Sequence, residues 1–167
     1  MSKPTGYIDA NICSALHYRG GDPLVLKEQL ATREWWQSER GFYRLLASKA
    51  VEDELAAGEY DNQAEALAEA RRLPFLPLVA AVRETTARLL AAHIVPETSR
   101  IDALHLAFAT VYGVDYLLTW NRAHLVNAQT QGKLARFREV SGLRTPLIVS
   151  PLTIPKAALG EEIRRRD

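Results

Sequence analysis

Four oxygen-bearing side chains stand where this chain turns from a short apolar run toward a helical one. Asp9 closes Gly6-Tyr7-Ile8, Glu54 lies within SKAVEDELAAG, Asp102 follows Ser99 into an apolar stretch, and Asn121 comes just after DYLLT. Carboxylate and amide oxygens are hard donors, and a cluster of them suits Mg²⁺ or Mn²⁺. Such a set does not suit zinc, which takes His or Cys, and the single Cys13 excludes a cysteine-based zinc site and an intrachain disulfide. Thr119 adds a hydroxyl at the end of the run that precedes Asn121.

Each residue also has a plain structural use. Asp9 can cap the helix that follows it, and Asn121 can do the same for its own. Ser99-x-x-Asp102 matches a capping box, in which the acid serves only backbone N–H groups. Glu54 can be a solvated helix carboxylate. Within Glu52-Asp53-Glu54, helical spacing favours Glu54 as the inward acid, because Val51 and Leu55 share the core face and Glu54 borders it. Glu52 and Asp53 are expected to point further into solvent.

The elements that would carry these residues follow from punctuation and periodicity. Short strands are expected at Gly6–Asp9, Phe42–Ala47, Leu76–Val79, Asp115–Thr119 and Leu147–Val149. The third lies next to Pro74 and contains Pro77, which marks an edge. Helices are expected at Asn11–Leu16, from Asp22-Pro23 to Gln37 with apolar Leu26, Leu30 and Trp36, from Ser48 to Gly58, and at Asp61–Arg72. Three more follow: Ala80–His93, an almost wholly apolar Ser99–Gly113, and Asn121–Ser141 in two pieces. The alternation predicts an α/β fold, a three-layer α/β/α sandwich with a mostly parallel sheet of about five strands. In such sheets ligands sit at the carboxyl ends of strands, where the winding reverses.

A length of 167 residues fits one domain, here expected over 1–150 with a charged tail at 151–167 that ends Arg164-Arg165-Arg166. With 47% hydrophobic and 25% charged residues, the chain has a globular composition. The net charge of +1 weighs against a partner held by bulk electrostatics alone, such as non-specific duplex DNA or an anionic membrane. The charge is uneven: residues 41–98 carry six basic and nine acidic groups, and residues 99–167 carry ten basic and six acidic. A basic C-terminal third offers a groove for phosphate facing an acidic centre. No signal peptide and no long apolar span is visible, so a cytoplasmic protein is expected.

The residues resemble a family. YIDANICSAL is similar to the first-strand motif of PIN-domain ribonucleases of the VapC toxin branch, with Asn11 two residues after the acid. SKAVEDELAAG resembles the family's Ser-x-x-Val-x-x-Glu-Leu segment, and DALHLAFATVYGVDYLLTWNRAHLVN its Asp-Ala-x-His-x-Ala helix, strand and Thr-Trp-Asn-x-x-His-Leu turn. The likeness runs over residues 5–150. It implies a Mg²⁺ or Mn²⁺ site of Asp9, Glu54 and Asp102, with Thr119 and Asn121 positioning a ligand or water. It also implies metal-assisted hydrolysis of RNA, a homodimer and inhibition by a cognate antitoxin. The family commonly has Asp where Asn121 stands, so a charge is missing and the second of two metals is put in question.

Arg100 and Arg122 flank the proposed site and, with Asn11, are candidates for RNA contact. His17, His93, His105 and His124 form no catalytic set; packing or capping is expected of His105, with a hydrogen bond to Asp102 open to it, and bracing of a loop is expected of His124. Trp35-Trp36 are expected in the core or an interface. Two other functions remain open. One is a catalytically weak or inactive PIN-like RNA-binding or interaction protein, which Asn121 favours. The other is a phosphohydrolase of small substrates, which the absence of a GxxxxGK loop disfavours.

Overall fold

The computed structural model describes residues 2–156; the arginine run of the tail lies outside them. Five strands form one sheet: β1 (Thr5–Ile8), β2 (Arg44–Ser48), β3 (Phe75–Leu76), β4 (Tyr116–Leu118) and β5 (Leu147–Val149). Their order is β3-β2-β1-β4-β5 and every pairing is parallel. The helices among the described residues are α1 (Ala10–Leu16), α2 (Pro23–Ser38), α3 (Lys49–Ala56), α4 (Gln63–Arg71), α5 (Ala80–Ala91), α6 (Arg100–Val111) and α7 (Ala128–Ser141). The architecture is the expected α/β sandwich. No helix among the described residues is long and apolar enough to cross a membrane.

Several elements differ from the sequence expectation for local reasons. Arg40–Phe42 form a 3-10 turn, so β2 begins at Arg44 rather than Phe42. β3 is two residues long and lies earlier than expected, because Pro77 lacks the N–H that would continue the ladder. It is an edge strand, as its prolines require. Residues 122–127 are turns, and Asn127 caps α7 by accepting from the Thr130 N–H at 2.7 Å.

Helix α2 turns a different face inward from the one expected. Gln29, Thr32, Trp35 and Trp36 are buried, while Leu30 is 68% exposed and Leu26 is also outside. A 3.6-residue period cannot bury Leu26 and Leu30 together with Gln29, Thr32 and Trp36. The polar pair is accommodated by hydrogen bonds: Gln29 Nε2 donates to the Tyr18 carbonyl at 2.7 Å, and Thr32 Oγ1 accepts from Trp120 Nε1 at 2.8 Å.

Helix α6 is buried nearly all round, from Ala103 through Thr110, as its composition predicts. Gly113, with φ +62°, provides the left-handed residue after its end. Parallel register aligns Leu46, Tyr7, Leu117 and Ile148 in one row across the sheet. Tyr7 stacks on Phe108 of α6 at 6.0 Å between ring centres, so that row faces α6. The packed unit continues past residue 150: Pro151 and Ile154 are buried, and the Tyr43 hydroxyl donates to the Pro155 carbonyl.

Candidate active site

The chain winds from β1 outward to β2 and β3, then returns to β4 on the other side of β1. The winding therefore reverses between β1 and β4, and the crevice beyond their carboxyl ends is the expected ligand position. Asp9 and Thr119 are the first residues past those two ends. Side chains alternate along a strand, so Asp9 shares a face with Tyr7, and Thr119 with Leu117. That face carries α6, which brings Asp102 and His105.

Asp9 is held by a tight set of donors. Its Oδ1 accepts from the Ala10 N–H at 2.6 Å, so it does cap α1. Its Oδ2 accepts from Thr119 Oγ1 at 2.7 Å and from Asn11 Nδ2 at 3.3 Å. Asn11 also donates to Thr119 Oγ1 at 3.0 Å and accepts from the Trp120 N–H at 2.9 Å. Asn11 thus braces β1 against the turn after β4, with both ends of its amide engaged. Thr119 Oγ1 additionally accepts from the Asn121 N–H at 3.0 Å.

This clasp gives a stability prediction. Thr119→Val keeps the shape but removes the donor to Asp9 and the acceptor for Asn121 and Asn11. The fold should lose about 1–3 kcal/mol, the cost of orphaning buried polar groups, read from urea unfolding midpoints. A loss within about 0.5 kcal/mol, typical of neutral surface changes, would show that the clasp is not stabilising.

Glu54 is the inward member of its acidic run. Its Oε1 lies 3.2 Å from His105 Nε2, and the same nitrogen is 3.6 Å from Asp9 Oδ1. Asp53 is exposed and paired with Lys49. Glu52 departs from expectation: it is more covered than Glu54, because Lys49 and Arg71 lie over it at 2.6 and 3.1 Å. Asp9, Glu54 and His105 each present a ligand atom, and these lie within 4.8 Å of one another.

His105 is the residue that sequence reasoning underrated. It is fully buried and contacts Glu54 and Tyr7, whereas Asp102 pairs with a different histidine. The signal was present in DALHLA, since a histidine three residues after Asp102 shares its helix face.

Asp102 Oδ2 lies 3.0 Å from His124 Nδ1, and Ser99 Oγ is also 3.0 Å from that nitrogen. Ser99 makes no side-chain cap, so the capping box does not form. Asn121 Oδ1 accepts from the His124 N–H at 3.0 Å, which commits that oxygen to the turn. His124 braces this turn to the start of α6.

Burial raises the Asp9 carboxyl above its ordinary range; His105 opposes the shift and Glu54 adds to it. Burial also raises Asp102, with His124 opposing and Asp9 adding. Carboxylates that repel one another in a covered crevice form an anionic site suited to a small divalent cation. The hard oxygens of Asp9 and Glu54 suit Mg²⁺ or Mn²⁺, and Asp9 is already oriented by its own hydrogen bonds; Asp102 stands outside that cluster, paired with His124, and acts on Asp9 through its charge.

Among the described residues, three arginines of the C-terminal third are engaged away from the expected groove. Arg138 donates to Thr145, and Arg144 pairs with Asp115 at the amino ends of the strands, opposite the acidic site. Asp115 is held there by Thr5 and points away from the acids, as its strand position implies. Arg122 lies over the Trp120 ring at 5.2 Å and donates to Glu28 at 2.6 Å. Arg100 is exposed at the first residue of α6, two residues before Asp102. Trp35 and Trp36 are core residues, as expected.

No family model matches this chain, and no curated protein does. Among solved structures, the fold is similar to a chain in the crystal structure of VapBC2 from Rickettsia felis bound to a DNA fragment from their promoter. The match covers 87% of this chain and 98% of that one, with a TM-score of 0.54 and 13% identity. At that identity the likeness is one of fold, and it is the fold that the sequence motifs imply.

Proposed function

We propose that this protein is a Mg²⁺- or Mn²⁺-dependent endoribonuclease that acts as a VapC-type toxin, working in the cytoplasm as a homodimer and neutralised by a cognate antitoxin. The observation that carries this reading is the cluster of Asp9, Glu54 and His105, whose ligand atoms lie within 4.8 Å of one another at the crevice where the sheet winding reverses, with the charge of Asp102 acting on it. The similar fold in a VapBC2 complex supports the antitoxin partnership.

Asp9, Asp102 and Glu54 would hold the cation. When bound, it lowers the pKa of a water and offsets charge on the scissile phosphate. Thr119 and Asn11 keep the Asp9 carboxylate from turning, which keeps it in one geometry through the reaction. Asn121 shapes the rim by accepting from the His124 N–H, and the second lone pair of its oxygen can position a water. Arg100, exposed at the start of α6, would meet a backbone phosphate of the RNA.

Purified protein should cleave structured RNA in Mn²⁺ and not in EDTA, and should spare single-stranded DNA and a simple phosphodiester. Equal cleavage in EDTA would exclude the metal-dependent reading. Preference for the simple phosphodiester would favour a small-substrate phosphohydrolase. The commitment of Asn121 Oδ1 to the turn favours one competing reading, a PIN-like RNA-binding protein with weak or no catalysis. Titration calorimetry decides between the two, since that protein would bind RNA but no Mn²⁺ at millimolar concentration.

A further inference from the structure

We propose that His105 is a positioning residue of the acidic site: its Nε2–H donates to Glu54 and faces Asp9, it remains a donor when a cation binds, and Nε2 never becomes a ligand. The inference rests on the proposed cation site and adds a group to it.

The imidazole has a polar partner at each nitrogen. Nε2 faces Glu54 Oε1 at 3.2 Å and Asp9 Oδ1 at 3.6 Å. Nδ1 lies 2.7 Å from the Tyr7 hydroxyl, which lies 2.6 Å from Ser48 Oγ. A carboxylate only accepts hydrogen bonds, so Nε2 within hydrogen-bond reach of the Glu54 carboxylate carries the hydrogen, which also faces Asp9. In the neutral ring Nδ1 then accepts from Tyr7, and Tyr7 accepts from Ser48. In the charged ring both bonds reverse direction, because hydroxyls donate and accept alike. Either way the same heavy atoms are satisfied and the Nε2–H stays on the acids.

Two further features show that the chain of bonds is built in. Ser48 occupies the N-cap position of α3, yet its side chain makes no capping bond and meets Tyr7 instead. The ring is also locked by packing: His105 and Tyr7 are fully buried, their ring centres are 5.5 Å apart, and Tyr7 stacks on Phe108. The alternative arrangement has Nδ1–H donating to Tyr7 and an Nε2 lone pair ligating the ion together with Asp9 and Glu54. It would turn the lone pair of a fully buried ring on the Glu54 and Asp9 carboxylates whenever the ion is absent.

Mn²⁺-loaded protein examined by pulsed EPR, with natural-abundance and ¹⁵N-histidine samples, separates the two. The expected spectrum has no directly coordinated nitrogen; a directly bound histidine nitrogen would overturn the proposal. Long-range ¹H–¹⁵N correlation should show the His105 Nε2–H with and without Mg²⁺, and its loss on adding Mg²⁺ would also overturn it. His105→Leu should weaken Mn²⁺ binding about 10- to 100-fold, the usual cost of losing an orienting partner. His105→Gln, which keeps an N–H at that reach, should recover most of the loss. Unchanged affinity in folded His105→Leu would refute the role. If that variant does not fold, Tyr7→Phe serves, since it deletes only the hydroxyl behind Nδ1 and should weaken Mn²⁺ binding less; unchanged affinity there refutes the relay. A wild-type protein that binds no Mn²⁺ overturns the proposed function itself.

Discussion

Asp9→Asn is expected to lower RNA cleavage by at least about 10³-fold, roughly 4 kcal/mol of transition-state stabilisation, with kcat falling rather than KM rising. Asp9 is the most buried of the three acids and the one whose orientation is most determined, by Ala10, Thr119 and Asn11. An amide keeps an oxygen for one of the two sets of donors, presents an NH₂ to the other as a protonated carboxyl presents its O–H, and removes the charge that holds a cation. Asp102→Asn should act in the same direction. Retained, metal-independent cleavage by both variants would refute the proposed chemistry.

The same substitution should stabilise the metal-free fold, and the sign depends on pH. The Asp9 carboxyl is raised in the folded state from its ordinary 3.8, mainly by burial. Its contribution to stability is therefore fully present below the ordinary value and is lost as pH rises through the raised one. In EDTA, the Asn variant should match the wild type in acid and exceed it at neutral pH. Added Mn²⁺ should reverse the order, since an ion at 100 times its Kd stabilises the wild type by about 2.7 kcal/mol. Urea midpoints at the two pH values, with and without metal, check both statements. A constant difference between variant and wild type would show that Asp9 is not under this strain.

Leu117→Ala should cost about 2–5 kcal/mol, the range for emptying a fully buried leucine site. Leu117 is fully buried in β4, in the row between Tyr7 and Ile148, and β4 is flanked by strands on both sides. Its strand ends one residue before Thr119, so relaxation of the cavity should also loosen the Asp9 clasp. Thermal or urea unfolding checks the first effect. A loss below about 1 kcal/mol would mean that the sheet repacks around the gap. The exposed Leu30 is the internal control, because Leu30→Ala on α2 should change stability by less than about 0.5 kcal/mol.

Much of the fold was legible in the amino-acid order. Five short apolar runs separated by helical periods lead to a parallel α/β sheet, and prolines around Phe75-Leu76 place that strand at an edge. Asp9 was legible as a candidate because it sits where a strand ends, a position that the winding rule singles out, whereas Glu54 and Asp102 lie on helices and were picked out by helical spacing and by the family resemblance. The face of α2 was not legible. Leucines at 26 and 30 look like core anchors until Tyr18 and Trp120 offer partners that make Gln29 and Thr32 the inward residues. Likewise, Glu52 looked more exposed than Glu54 because Arg71, on the next helix, cannot be placed over it from local spacing.

By itself, then, the sequence determined which segments are strands and helices, that the sheet is parallel, and which oxygen-bearing residues stand at its carboxyl edge. These follow from short-range periodicity, capping and proline chemistry, each decided within a few residues. Only the tertiary structure decided what those oxygens do. It committed Asn121 to a turn, Asn11 to a brace and Asp102 to His124, and it placed His105 between Asp9 and Glu54. It also sent Arg138 and Arg144 to the far edge of the sheet. The physical reason is that the bonds of Asp9, Asn11, Glu54 and Asp102 to Thr119, His105 and His124 join residues 22 to 110 positions apart, and such partners exist only once the sheet has assembled.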